Sequence, residues 1–250
     1  MNQKRQLNNF LRYFYSNLRI GSIVAGNIYS SESNGLLVSF QNHILFYLPI
    51  NQFYYVRKEL KPGKTLEFII IGYKRNSKFF LISLNYLDYI RNWQRIKQLE
   101  AENQIVLGKP FKYIRKGLLV RIENILGIIP NFQIPKFVKK NKLLNNQIPL
   151  KLITVDYHNR KIVLSYKKAL IEKFKNENLN KKYIIGKIQE IKIYGLIILV
   201  NNSVSGWLYY PIHNRDSNTI LKINQEIKIS IAYINVDKCL IIFRKFNQTF

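Results

Sequence analysis

Apolar and polar residues alternate along this chain in short runs, and the runs recur in one order three times. In the first unit the runs are Gly21 to Ile28, Gly35 to Phe40, Ile44 to Pro49, Leu66 to Tyr73 and Lys78 to Leu84, with the turn Lys61-Pro62-Gly63 before the fourth. In the second they are Ile105 to Ile114, Gly117 to Ile122, Leu126 to Pro130, Ile148 to Asp156 and Arg160 to Ser165. In the third they are Tyr183 to Ile193, Gly195 to Val200, Val204 to Tyr209, Glu226 to Ile234 and Cys239 to Phe243. The runs are rich in β-branched and aromatic residues and are mostly bounded by Gly, Asn or Pro, so they read as strands. Five strands in a unit of this length suit a small closed barrel of the OB type. The predicted class is therefore all-β: three tandem five-stranded OB-type barrels. Gly35, Gly117 and Gly195 each follow a turn and are expected to let the chain coil tightly into the next strand. Gly127 and Gly206 are expected where the third strand of a barrel bends.

Two stretches change period. Asn85 to Asn103 carries Leu87, Ile90, Trp93, Ile96 and Leu99 at spacings of three, and Tyr166 to Asn178 carries Ala169, Leu170 and Phe174. Both read as short amphipathic helices packed against a neighbouring barrel. The expected organisation is an N-terminal segment 1–19, repeat one at 20–84, a helical linker 85–103, repeat two at 104–166, a second linker 167–179 and repeat three at 180–246.

Charge narrows the partners. The 250 residues hold 40 Lys and Arg against 14 Asp and Glu, a formal net charge of +26. A surplus of that size repels itself until it meets a polyanion, so nucleic acid or an anionic membrane is the natural partner. Hydrophobic residues make up 47%, which separates this chain from charge-driven disorder. The cations are interleaved with Ile, Leu, Tyr and Phe, unlike the charge blocks of a basic tail. The apolar runs are too short to span a bilayer as helices. Leu7 to Leu18 is the one candidate for a membrane-surface helix, with Leu7, Phe10, Leu11, Phe14 and Leu18 on one side.

Catalytic and metal chemistry find little support. Cys239 is the single cysteine, so there is no internal disulfide and no Cys-rich metal site. His43, His158 and His213 fall in different repeats without ligand spacing. No Gly-rich phosphate loop opens a helix, and no nucleophile, base and orienter assemble. Neither an enzyme nor a cofactor is expected. Single-stranded RNA fits better, because aromatics on a barrel face stack on bases while nearby cations neutralise phosphates. Repeat two offers Lys112, Tyr113, Arg115, Lys116, Arg121 and Arg160, with Asp156 opposing Arg160 or Lys161 across a hairpin. Repeat three offers Lys187, Lys192, Tyr194 and Tyr209. Because alternate strand residues share a face, Lys112 and Lys116 are expected to flank one groove.

Three stretches carry a family likeness. Leu87-Asp88-Tyr89-Ile90-Arg91-Asn92-Trp93-Gln94-Arg95-Ile96-Lys97-Gln98-Leu99 resembles the linker between the first two repeats of cyanobacterial and plastid ribosomal protein S1. Lys116 to Ile122 with Gly127-Ile128-Ile129-Pro130 resembles that family's second repeat, and Tyr194-Gly195-Leu196-Ile197 with Val204-Ser205-Gly206-Trp207-Leu208 its third. The resemblance runs from Phe10 to Phe243. It implies a non-catalytic component of the small ribosomal subunit that holds single-stranded mRNA to support initiation. In such barrels the RNA face uses an aromatic before the strand-two Gly, another two residues after it, a His near the end of strand three, and an Asp/Arg pair at the last hairpin. Carried over, Tyr194 holds the first position in repeat three, Ile197 the second and Tyr209 the His position. In repeat two these are Lys116, Leu119 and Pro130, with the pair as Asp156 and Arg160. In repeat one they are Asn34, Leu37 and Pro49, with Lys78 as the basic remnant. Repeat one is therefore expected to dock on small-subunit proteins, and repeats two and three to hold the RNA. Since the likeness starts at Phe10 and the composition favours A/T-rich codons, a plastid-encoded protein of the stroma is expected, with no membrane partner. The rivals are a non-ribosomal RNA-binding or RNA-processing accessory protein and a membrane-surface protein.

Overall fold

The computed structural model describes residues 18–40, 44–53, 60–74, 79–138, 140–210 and 221–246. His43, Lys78, His213 and the segment from Leu7 to Asn17 lie outside the described residues. The first barrel is built from β1 (Ile23–Glu32), β2 (Gly35–Phe40), β3 (Ile44–Pro49), β4 (Thr65–Lys74) and β5 (Phe79–Ser83). The second uses β6 (Ile105–Ile114), β7 (Gly117–Ile122), β8 (Ile125–Pro130), β9 (Ile148–Asp156) and β10 (Lys161–Ser165). The third uses β11 (Ile184–Lys192), β12 (Gly195–Val200), β13 (Val204–Tyr209), β14 (Glu226–Asn235) and β15 (Leu240–Lys245). Every barrel closes in one cyclic order, first-second-third-fifth-fourth. The third and fifth strands run parallel and all other neighbours antiparallel. That is the five-stranded OB arrangement.

The alternation in the sequence fills the barrels. Residues of one parity point inward, so Val38, Phe46, Phe68, Ile70 and Ile82 are fully buried in the first barrel. Leu118, Val120, Ile129, Leu150 and Leu164 do the same in the second, and Ile188, Leu196, Ile198, Ile229 and Phe243 in the third. The first strand of each barrel carries a register shift, at Ile28/Ser30, Pro110/Lys112 and Ile188/Glu190. A bulge of this kind sharpens the local bend that closes a small barrel. It also flips the parity of the residues that follow it on the strand.

Gly35, Gly117 and Gly195 have a steric role rather than the conformational one expected. None has a positive φ; instead a Cβ there would collide with the carbonyl oxygen of Leu48, Ile129 or Leu208 on the third strand. Gly127 and Gly206 face inward, where a Cβ would meet Leu164 and Phe243.

Two helices follow the fifth strands: α1 (Asn85–Ala101) and α2 (Tyr166–Asn178). Each starts on the same device. Fully buried Ser83 donates to Gln52 Oε1 at 2.6 Å and accepts the Tyr86 N–H; fully buried Ser165 donates to Gln133 Oε1 at 2.6 Å and accepts the Lys168 N–H. The serine satisfies an orphan donor of the first turn, while the glutamine locks it to the 3₁₀ turn after the third strand.

The chain divides into two compact units, Met1–Gln94 and Arg95–Phe250. The first holds barrel one. The second holds barrels two and three, joined through α2. Buried Lys151 of β9 pairs with Glu172 of α2. Ile171 and Phe174 of the same helix enter the core of barrel three, with Phe174 edge-on to Phe243 at 6.5 Å. One helix thus packs on both barrels. No described helix is long and apolar enough to cross a membrane.

Candidate nucleic-acid interface

The residues facing out of each barrel form a row across neighbouring strands, fixed by register. In barrel one the row is Ser30, Leu37, Tyr47, Leu81 and Gly72. In barrel two it is Lys112, Leu119, Ile128, Val163 and Thr154. In barrel three it is Glu190, Ile197, Trp207, Ile242 and Tyr233. The third-strand position is therefore Tyr47, Ile128 or Trp207. Tyr47 and Trp207 lie across Gly35 and Gly195, so close that a Cβ on either glycine would touch the ring. The glycine gives the flat side chain a bed on the barrel wall. Sequence reasoning selected Tyr209 and passed over Trp207, although the two share one face of a strand at a spacing of two.

One end of each barrel is tied in the same manner. The residue after the third strand donates its N–H to the carbonyl in the first hairpin: Ile50 to Asn34 at 3.0 Å, Asn131 to Lys116 at 3.1 Å and Tyr210 to Tyr194 at 3.3 Å. In barrel three this brings Tyr194 of the hairpin beside Tyr209 at the strand end, with Tyr209 opposite Gly195 in the register. Their side chains are 68% and 66% exposed, so both rings are open to a partner. Lys245 Nζ lies 5.4 Å from the centre of the Tyr210 ring. Lys192, opposite Gly195, reaches Glu190 at 3.5 Å. Lys187 is not part of this group. It sits five residues earlier on β11, about 16 Å along the strand, and pairs with Glu226 at 3.4 Å.

Barrel two presents cations where barrel three presents rings. Arg115 and Lys116 occupy the first hairpin, and Asn131 donates from its side chain to the Arg115 carbonyl at 3.0 Å. The strand ends at Ile114, so Lys116 stands in the turn and does not share the strand alternation with Lys112. Lys112 and Arg121 are exposed on the outer wall. The Arg121 guanidinium lies 5.6 Å from the centre of the Phe111 ring, the residue at the bulge. Barrel one carries Tyr29, 68% exposed, at the corresponding bulge. Sequence reasoning did not select either bulge aromatic, since the extra residue is visible only in the strand register.

Two expectations need correction. Tyr113 pairs in register with buried Leu118, which places it on the inner side. Its hydroxyl is buried without a hydrogen-bond partner, and that desolvation raises its pKa. It is a barrel-end packing residue, not a stacking platform. The residue directly opposite Asp156 is Lys161, while Arg160 occupies the turn with φ 51°. The Asp156 carboxylate accepts from the Asn159 backbone N–H at 3.0 Å and its side-chain amide at 2.7 Å. Those bonds hold the carboxyl below the usual aspartate range. Because Ile128 pairs with Val163, this hairpin stands beside Leu126 and Arg121, at the opposite end of barrel two from Lys116. Among the described residues no group of three or more His, Cys, Asp or Glu could hold a metal.

Three small OB-type barrels in tandem, with cations and exposed rings on their outer walls, define a modular repeat protein of the class that meets extended polyanions. A scan against protein-family models gives no match. The chain is 32% identical over 227 residues to small ribosomal subunit protein bS1A of Synechocystis, covering 87% of this chain and 69% of that protein. It is 35% identical over 197 residues to small ribosomal subunit protein bS1c of Pyropia yezoensis, covering 77% and 75%. Against bS1c of Spinacia oleracea it is 29% identical, over 86% of this chain and 54% of the other. A solved multidomain protein with nucleic acid binding domains from Streptococcus pneumoniae matches 92% of this chain and 74% of its own at 13% identity, with a TM-score of 0.26. The chain belongs to the bS1 family of small ribosomal subunit proteins.

Proposed function

We propose that this chain holds single-stranded mRNA on the small ribosomal subunit during initiation, without catalysis, in the plastid stroma. The observation that carries the reading is the end of barrel three, where Tyr194 and Tyr209 are about two-thirds exposed on neighbouring backbone segments, with Trp207 on the same strand face as Tyr209. Rings presented in this way suit unpaired bases, which stack at roughly 1–3 kcal/mol each. Barrel two adds Lys112, Arg115, Lys116 and Arg121 for the phosphates. The outer row of barrel one has no cation, and its hairpin and strand end carry Asn34 and Pro49 in place of the two tyrosines. On this reading barrel one docks to small-subunit proteins, while barrels two and three hold the strand. Plastid and cyanobacterial relatives support the compartment and the ribosomal setting.

The test is direct titration of the purified chain with an unstructured RNA and with a stable duplex of equal length. Tighter binding to the unstructured RNA is expected, because stacking needs open bases. Equal affinity for the duplex would contradict the reading. The log of the affinity should fall linearly with log salt, by about 0.7 for each phosphate neutralised.

A further inference from the structure

A cleft of about 230 Å³ lies within the second unit, between barrels two and three. It is lined by Lys136 and Phe137 of the segment after β8, by Lys167 of α2, and by Lys192, Ile197 and Cys239 of barrel three. Three lysines and one carboxylate, Glu190, line the cleft, and Glu190 is paired with Lys192 at 3.5 Å. Ser203 and Ser205 are in the same lining. Cations with hydroxyls and two apolar walls suit a phosphate joined to a flat apolar ring. The single carboxylate makes a poor cation site. Small-molecule sites run to about 300–1,000 Å³, so this cleft is smaller than a typical cofactor pocket.

Its walls are held in place. Lys167 Nζ donates to the Phe132 carbonyl, and Lys168 pairs with Asp237 of the β14–β15 turn at 3.2 Å. The cleft runs along the outer wall of barrel three from Cys239 and Val204, at the end away from Tyr209, to Lys192. Ile197 belongs to the outer row with Trp207, and Lys192 is opposite Gly195, next to Tyr194. The segment bearing Lys136 begins at Asn131, which is bonded to the Arg115–Lys116 hairpin of barrel two.

We propose that this cleft is a phosphate-and-base subsite for single-stranded RNA, so that barrels two and three bind one strand as a continuous site through their junction. The proposal rests on the RNA reading above, and Cys239 makes it separable from that reading. It is the sole cysteine of the chain and lines the cleft, half-buried. Its alkylation by a maleimide in the full chain, in mildly alkaline buffer, therefore reports on this place alone. Alkylation is followed with and without saturating oligouridine, with occupancy read separately by anisotropy.

The expected result is alkylation slowed several-fold by bound RNA. Lys136→Ala with Lys167→Ala should abolish that protection and reduce the salt slope by about 0.7 for each phosphate no longer neutralised. Lys136→Glu alone, at an exposed side chain, should act in the same direction if the double variant unfolds. RNA that binds by anisotropy while Cys239 reacts at its free rate would overturn the subsite and leave the RNA reading intact. Failure of RNA to bind at all would remove both. Protection by inorganic tripolyphosphate equal to that by RNA would reduce the cleft to an anion site and overturn its base half. Protection by mRNA-free small subunits but not by RNA would make it a protein dock and overturn the proposal.

Discussion

A tyrosine serves RNA only where one face of its ring is bare, and this chain places its tyrosines in both conditions. Tyr194 and Tyr209 project from the end of barrel three, whereas Tyr113 is turned inward with its hydroxyl buried and unpaired. Tyr113→Phe removes a desolvated polar atom and keeps the ring. It should leave RNA affinity unchanged and leave the melting temperature equal or higher. Tyr194→Ala and Tyr209→Ala should each weaken binding of unstructured RNA by about 1–3 kcal/mol, read by titration, with little change in melting temperature. Trp207→Ala should behave as they do, although its ring also covers Gly195 and some loss of stability should follow. Asp156 gives a pH signature. Its folded pKa is depressed, first by the Asn159 backbone N–H and then by the Asn159 side chain. The carboxylate therefore supports the hairpin above its unfolded-state pKa, and that support is lost as pH falls through the lower folded value. The Asn159 amide resonance should accordingly titrate below the ordinary aspartate range; titration within that range would contradict the hydrogen-bonded turn. The outward residues at strand positions were legible from alternation alone, Trp207 included. Tyr113 is adjacent to Lys112, so alternation sets the two on opposite faces, and only the register with buried Leu118 shows that Tyr113 takes the inner one.

At the scale of the element, the serine that ends the fifth strand of barrels one and two organises the junction to the following helix. Ser165→Ala removes the N-cap of α2 and leaves the half-buried Gln133 amide oxygen without its donor, a loss of about 1–3 kcal/mol that thermal melting should detect. Gln133 falls just beyond a third strand and Ser165 at the end of a fifth, 32 positions apart, so no local pattern announces their bond. The salt bridge beneath α2 is a similar case. Lys151 is 6% exposed, and its partner Glu172 comes from the helix. Glu172→Ala would strand that ammonium in the protein interior and should cost about 3–5 kcal/mol, less whatever Lys151 recovers by releasing its proton. By contrast, most strands were legible to within a residue or two. Their period of two, their β-branched content and their Gly, Asn and Pro boundaries all agree, and β2, β3, β6, β7, β9, β12 and β13 have the ends expected from the sequence.

On the scale of the whole molecule, repetition carried most of the information. Three units with the same five-run order predicted three barrels, and each closes in the same strand order. Sequence could not show that α2 is shared by barrels two and three, because Glu172 on one side and Phe174 on the other meet residues far along the chain. Nor could it show the cleft that results. A net charge of +26 spread over the repeats gives the molecule a general attraction for RNA, which salt should screen. In the proposed function the exposed rings add the preference for open bases. The most direct test of that combination uses small subunits from plastids, stripped of their own bS1 and reconstituted with this chain. Retention of a labelled unstructured mRNA is then measured by gradient sedimentation. The wild-type chain should co-sediment with the subunits and restore retention, while Tyr194→Ala with Trp207→Ala and Tyr209→Ala should co-sediment equally and retain little mRNA. Equal retention by the wild-type and the triple variant would contradict the claim that the aromatic face of barrel three holds the message.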